Sequence, residues 1–223
     1  MKNEKIYDTN VVKKPWGFEY VLYRNKDLCI TYLNINPKSS TSLHSHIYKK
    51  TGFLILSGKA DIQLGLYKSQ IEKFKAPSKV MIRPGLFHQI SNKSNNKLIA
   101  LEFESPTNKQ DLIRFEDKYG REKKKYEGKS SFVSIKKPLV LKNFKNKKNQ
   151  VFKFDKIKIK FSKAKKIKIN KNNNTIYSII SGKIINNLGK SCLPLGDLIK
   201  SGTLRKLLNK FKIKNSIQYI EVI

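Results

Sequence analysis

Short apolar runs punctuated by Gly, Pro and Asn clusters fill the first half of the chain. Residues 19–24 and 28–35 are rich in β-formers, and Asn36-Pro37-Lys38-Ser39-Ser40 is a turn cluster. A compact apolar run at 53–57 ends at Gly58, and further strand-like runs cover 60–66 and 79–83. Residues 98–104 alternate cleanly, with Ile99, Leu101 and Phe103 on one face and Ala100, Glu102 and Glu104 on the other. Evenly spaced short strands of this kind predict an all-β sandwich or barrel. One helix is expected within 110–119, where Leu112, Ile113 and Phe115 are spaced for a single face.

The second half carries a faint internal repeat. Thr175-Ile176-Tyr177-Ser178-Ile179-Ile180-Ser181-Gly182-Lys183 echoes Thr51-Gly52-Phe53-Leu54-Ile55-Leu56-Ser57-Gly58-Lys59, and Gly202-Thr203-Leu204-Arg205 echoes Gly85-Leu86-Phe87-His88. The echo puts Lys168, Asn170 and Arg205 at the places of His44, His46 and His88. Ammonium and guanidinium groups have no lone pair to give a cation, so this half is expected to bind no metal. The expected division is a first domain over 1–128 and a His-free second domain over 129–223, with a linker near 126–131.

The chain has 223 residues and a formal net charge of +32. That charge changes the picture less than its size suggests. It is almost all Lys, with Arg only at 24, 83, 114, 121 and 205, and it accompanies abundant Asn and Ile. Readers of nucleic acid favour the bidentate Arg fork, so no specific nucleic-acid partner is expected. The runs at 123–125 and 163–171 read as solvated faces and loops. No apolar run approaches 18 residues, which excludes a membrane-spanning helix. The first five residues have no apolar segment behind them, and Cys29 and Cys192 stand far apart, so a cytoplasmic protein is expected.

The chemistry concentrates in three histidines. His44 and His46 are two apart, so on a strand they share a face. His88 follows Pro84-Gly85 by three residues, where a returning strand could bring it opposite them. Three neutral imidazoles converging inside a small barrel make a site for one divalent transition metal: Zn, Fe, Mn, Ni or Co. Glu102 and Glu104, on one strand face, are the expected proton-transfer groups.

These residues also carry a family resemblance. His44, His46, Gly58, Gly85, His88 and Asn92 match the two cupin motifs in order. Lys14-Pro15-Trp16-Gly17 and Arg114-Phe115-Glu116-Asp117-Lys118-Tyr119-Gly120-Arg121 resemble the opening and closing signatures of the cupin domain of type II phosphomannose isomerases. The likeness covers about residues 12–128. It implies a double-stranded β-helix (a jelly-roll-like cupin barrel), here with a degenerate second cupin, and sugar chemistry in polysaccharide biosynthesis. It also implies substrate contacts at Lys49, Lys50, Gln89, Arg114 and Arg121, with Lys49 counted among the catalytic groups. Arg114 and Asp117 also read as a structural pair, and Trp16 as core or as a platform for a sugar ring. The sequence departs from the pattern at Thr51, where cupins usually place a glutamate ligand, at His44, often Gln in the family, and at Lys49 and Gln89, usually Arg. These residues contain none of the nucleotidyltransferase domain of the bifunctional members, so no nucleotide transfer is expected.

The leading expectation is a metal-dependent isomerase or epimerase acting on a sugar phosphate or activated sugar, with a homodimer among the expected assemblies. A non-catalytic sugar-binding or regulatory cupin, and a metal-cupin oxygenase or lyase, remain open beside it.

Overall fold

A computed structural model of the chain describes residues 5–124, 126–141, 149–154 and 156–223. Residues 1–4, and Lys125 of the lysine run, lie outside the described residues. The chain divides into two compact units, Met1–Val140 and Leu141–Ile223. Nearly all its regular structure is antiparallel sheet, and among the described residues no helix is long and apolar enough to cross a membrane.

The first unit has two sheets. One runs in the order Phe132–Val133, Val11–Lys14, Gly17–Arg24, Cys29–Ile35, Leu98–Ser105, Lys50–Ser57, Ser78–Ile82. The other runs Ile113–Glu116, Leu43–Ser45, His88–Asn92, Lys59–Leu64, Ile71–Lys75, with Ser39–Ser40 also paired to His88–Asn92. Each order runs from one edge strand to another, so the expected barrel takes the form of two open sheets. They face each other across one core. Trp16, Leu33, Ile35, Phe53, Ile55, Leu98 and Ala100 from the first meet Ala60, Ile62 and Ile90 from the second. Burial of such side chains is the main stabilising term, about 1.5–3 kcal/mol for each large one.

Trp16 reaches that core because the chain turns sharply after it. Gly17 has φ +144°, and a Cβ there would lie 2.0 Å from the carbonyl oxygen of Asn34. The Pro-Trp-Gly stretch is therefore a packing device: Asn36 N–H bonds to the Trp16 carbonyl at 2.9 Å, and only glycine fits beside it.

The helix expected within 110–119 is absent. Ile113–Glu116 is a strand pairing with Leu43–Ser45, with Arg114 opposite His44. The pairing satisfies the backbone and imposes a period of two, leaving Ile113 and Phe115 exposed on the outer face.

The second unit, among the described residues, has one sheet in the order Asn149–Phe154, Ile157–Ala164, Lys212–Val222, Ile176–Ile185, Leu198–Lys200, and one helix, Ser201–Lys210. Leu204 of the helix packs with Tyr177, Ile179, Ile217 and Tyr219. Gly58 and Gly182 both have positive φ. The echo stops short of residues 202–205, which are helical, whereas Gly85 to Phe87 are a turn leading into a strand.

Candidate metal centre

The second sheet brings the three histidines together. His88 pairs directly with His44 across neighbouring strands, and His46 follows the Leu43–Ser45 strand. Ring centroids lie 4.5 Å apart for His44 and His88, 5.0 Å for His44 and His46, and 5.3 Å for His46 and His88. All three rings are buried. The facing sheet adds Glu102, and four donor atoms, one from each residue, lie within 4.8 Å of one another.

Hydrogen bonds fix which nitrogen of each ring points inward. His44 Nδ1 lies 2.8 Å from the Ser42 carbonyl, His46 Nδ1 2.5 Å from that of Asp111, and His88 Nδ1 3.0 Å from that of Leu86. A carbonyl only accepts, so each Nδ1 carries the proton and each Nε2 keeps its lone pair. Nε2 of His46 and of His88 is buried with no hydrogen-bond partner. Buried acceptors are rarely left unsatisfied, and convergent imidazole lone pairs beside a carboxylate are what a divalent transition metal takes up. The donor set fits such an ion.

Electrostatics agree. Burial pushes the His46 pKa down to about 3, aided by the Lys49 cation, and that of His88 down to about 4. His44 is held well below its ordinary value by burial and then by the two other histidines. The imidazoles are thus neutral at physiological pH, as donors to a cation must be. Burial, and then the neighbouring charge of Glu104, raises Glu102 to about 8.

Glu104 has a different role from its neighbour two residues away. Lys49 Nζ donates to its Oε1, and Lys109 Nζ donates to Oε2 at 2.9 Å and to Thr31 Oγ1 at 3.3 Å. Burial alone would raise its pKa, but Lys109 and then Lys49 hold it well below the usual range. All three side chains are buried.

These groups line one pocket, an open-mouthed cleft whose empty space, solvent at the mouth included, is about 560 Å³. Its far wall carries further charge. Lys14 bonds to Glu127, lies 3.4 Å from Glu19 and sits 3.9 Å over the Tyr126 ring. Arg121 Nε and Nη1 each donate at 2.6 Å, to Asp117 and to Glu127.

Of the residues singled out by sequence, His44, His46, Lys49, Glu102, Glu104, Arg114 and Arg121 line this pocket, and His88 lies behind it in the histidine cluster. Lys50 and Gln89 do not line it. Gln89 adjoins His88 on a strand, so it points the other way, into a surface groove beside Asp61 and Gln63, and donates to the Thr41 carbonyl at 2.9 Å. Lys50 likewise precedes the inward-facing Thr51. Asn92 Nδ2 is spent on the carbonyls of Ile35, Asn36 and Asn96, a structural role. Trp16 is both core and pocket wall. Sequence reasoning missed Lys109 and Asp111, which arrive on an irregular loop, and Lys14, Glu19 and Tyr126.

Residues 2–117 match the family described as mannose-6-phosphate isomerase C-terminal. Xanthan biosynthesis protein XanB of Xanthomonas campestris pv. campestris is 24% identical over 112 residues, which are 49% of this chain and 23% of XanB. The chain therefore spans about a quarter of the length of the curated relatives it matches. Among solved structures, CapF of Staphylococcus aureus, a capsular polysaccharide assembling protein, has a TM-score of 0.42 at 19% identity over 48% of this chain and 34% of CapF. A protein with a double-stranded β-helix domain from Klebsiella pneumoniae subsp. pneumoniae has a TM-score of 0.41 at 17% identity, over 51% of this chain and 88% of its own. A sugar phosphate isomerase, so named provisionally, from Acidithiobacillus ferrooxidans has a TM-score of 0.34 at 22% identity, over 39% and 55%.

Proposed function

Since the chain belongs to the mannose-6-phosphate isomerase C-terminal family, within the cupin superfamily, we propose that its first unit is a metal-dependent isomerase or epimerase acting on a sugar phosphate or activated sugar. The observation that carries the reading is the convergence of partnerless imidazole nitrogens and Glu102 at the end of a pocket walled by lysines and arginines. His44, His46 and His88 would hold the metal through Nε2, with Glu102 in reach as a fourth donor. Bound there, a divalent metal supplies Lewis-acid polarisation of sugar oxygens.

The chain's own residues do the rest. Glu102, whose proton affinity burial has raised, removes a proton from the carbon beside a carbonyl and returns it to the neighbouring carbon. Lys49, held on Glu104, offers an ammonium proton to the oxygen that gains charge and takes back the proton that the neighbouring hydroxyl gives up as the new carbonyl forms. Arg114 at the pocket wall, its Nε buried with no hydrogen-bond partner, suits an anionic substituent such as phosphate, while Arg121 is held by Asp117 and Glu127. Substrates from polysaccharide precursor synthesis fit the likeness to XanB, a xanthan biosynthesis protein.

Elemental analysis of untagged protein should find about one transition metal per chain, lost in a His44→Ala/His88→Ala double variant. The loaded protein should interconvert aldose and ketose phosphates, or epimers, in a coupled assay. Glu102→Gln separates its two roles: turnover lost with metal retained marks a proton carrier, and metal lost marks a ligand. A metal-free, inactive wild type that still binds sugars would establish the non-catalytic reading. Oxygen consumption by the loaded protein would point to an oxygenase.

A further inference from the structure

The loop between the strands Leu98–Ser105 and Ile113–Glu116 carries a carboxylate that the reaction does not use. Asp111 is buried, and Oδ1 accepts from the N–H of Ile47 at 2.8 Å. Its Oδ2 accepts from Tyr48 N–H at 3.0 Å and from Lys49 N–H at 2.9 Å. Its own carbonyl accepts from His46 Nδ1 at 2.5 Å. One residue therefore touches four consecutive positions, 46 to 49, from more than sixty residues away. The segment it holds begins with a proposed metal ligand and ends with the lysine that bonds to Glu104.

We propose that Asp111 is a positioning residue for the metal centre. Its carbonyl sets the tautomer and direction of His46, and its carboxylate gathers the 47–49 amides so that His46 and Lys49 both face the pocket. The inference rests on the metal-site reading of the three histidines. Outer partners of this kind commonly change metal affinity about 10–100-fold when lost.

Three N–H groups converge on the carboxylate, so its charge matters as well as its shape. Asp111→Asn keeps the shape, but its amide nitrogen would meet an N–H donor and leave at least one of the three without an acceptor. Asp111→Ala removes them all. A residue that merely stabilised the fold would lower thermal stability and leave the metal untouched. Asn92→Ala, which cuts hydrogen bonds to strand carbonyls, provides that comparison.

The experiment titrates metal-free protein with Co²⁺ and follows both affinity and the d–d absorption spectrum. Asp111→Asn should bind about 10–100-fold more weakly, with a spectrum altered toward that of His46→Gln. Asn92→Ala should lose stability while keeping wild-type affinity and spectrum. Wild-type cobalt behaviour in Asp111→Asn overturns the proposal. Should the variants not fold, long-range ¹⁵N NMR of metal-free wild type decides. His46 protonated on Nδ1 at neutral pH supports the carbonyl's role, and protonation on Nε2 overturns it. A wild type that binds no cobalt would refute the metal-site reading, while the tautomer still reports on Asp111.

Discussion

Replacing Glu104 by Gln tests the electrostatics of the site most directly. The change preserves shape and removes one negative charge from between two buried ammonium groups, Lys49 and Lys109, whose side chains are 2% and 5% exposed. Removing one partner of a buried ion pair typically costs about 3–5 kcal/mol, because the remaining charge is left uncompensated. Here Glu102 softens the loss. Its pKa is raised partly by Glu104 itself, so without that neighbour it ionises more readily and supplies the missing charge. The cost should fall near the low end, about 3 kcal/mol. With about 2 kcal/mol per molar urea, the midpoint of the metal-free protein drops by about 1.5 M at neutral pH. Lys109→Met in the same chain should restore most of it, since one ammonium and no carboxylate then remain beside Glu102. The pH dependence has a definite sign. Glu104 is held well below its ordinary 4.5, so its stabilisation is full above that value and is lost as pH falls through the folded pKa. The gap between wild type and variant must therefore close only in acid. A midpoint shift below about 0.5 M, or a double variant no better than the single one, would refute the ion-triad account.

The buried imidazoles give a second acid dependence. The unfolded chain's histidines take up protons below 6.5, whereas folded His46 and His88 resist to about 3 and about 4, so metal-free stability should fall as pH drops from 6.5 toward 4. Glu102 works in the opposite sense between 4.5 and about 8. Comparison with His46→Gln/His88→Gln isolates the histidines, and equal acid losses in urea titrations of the two proteins would contradict the assignment. Thr51→Glu places a carboxylate on the pocket side, directly opposite Glu104, and should tighten metal binding in chelator competition; unchanged affinity means that position 51 does not reach the ion. Truncation after Gly128 strips Phe132–Val133 from the strand Val11–Lys14 and deletes Leu139, whose carbonyl and N–H both bond to the Tyr20 hydroxyl. It should yield oligomers or aggregate in size-exclusion chromatography. A monodisperse 1–128 fragment would show those contacts to be dispensable.

The fold was legible where one local pattern had one solution. Alternation over 98–104 translated directly into a strand with neighbours on both sides, because Glu102 and Glu104 face the pocket while Leu101 and Phe103 are buried on the other face. Leu112, Ile113 and Phe115 fit a helix as well as a strand, and the tie was broken by an available edge at Leu43–Ser45 that no local signal announces. The histidines were readable because spacing of two and a Pro-Gly turn constrain direction. Lys50 and Gln89, which analogy implied, each adjoin an inward-facing residue and so lie outside this pocket. Asp111 and Lys109 were out of reach, since their partners lie on distant strands and the loop that carries them has no period.

Thr51 was the departure that most weakened the expected site, and the geometry recasts it. On the sheet, Thr51 pairs with Glu104 and Phe53 with Glu102, so all four side chains occupy one face. A carboxylate missing from one strand is thus present on the strand beside it. Of the two glutamates there, Glu104 is bound to Lys49 and Lys109, which hold it well below the usual carboxylate range. Glu102 lies nearest the histidine nitrogens and is the one whose protonation an added charge would change. Division of labour between two identical side chains two residues apart follows from environment alone: one faces ammonium groups, the other partnerless imidazoles. With Thr51 on one strand, the acidic donor within reach of the histidines is Glu102 on the next, and Glu102→Gln should affect the centre more severely than any change at position 51.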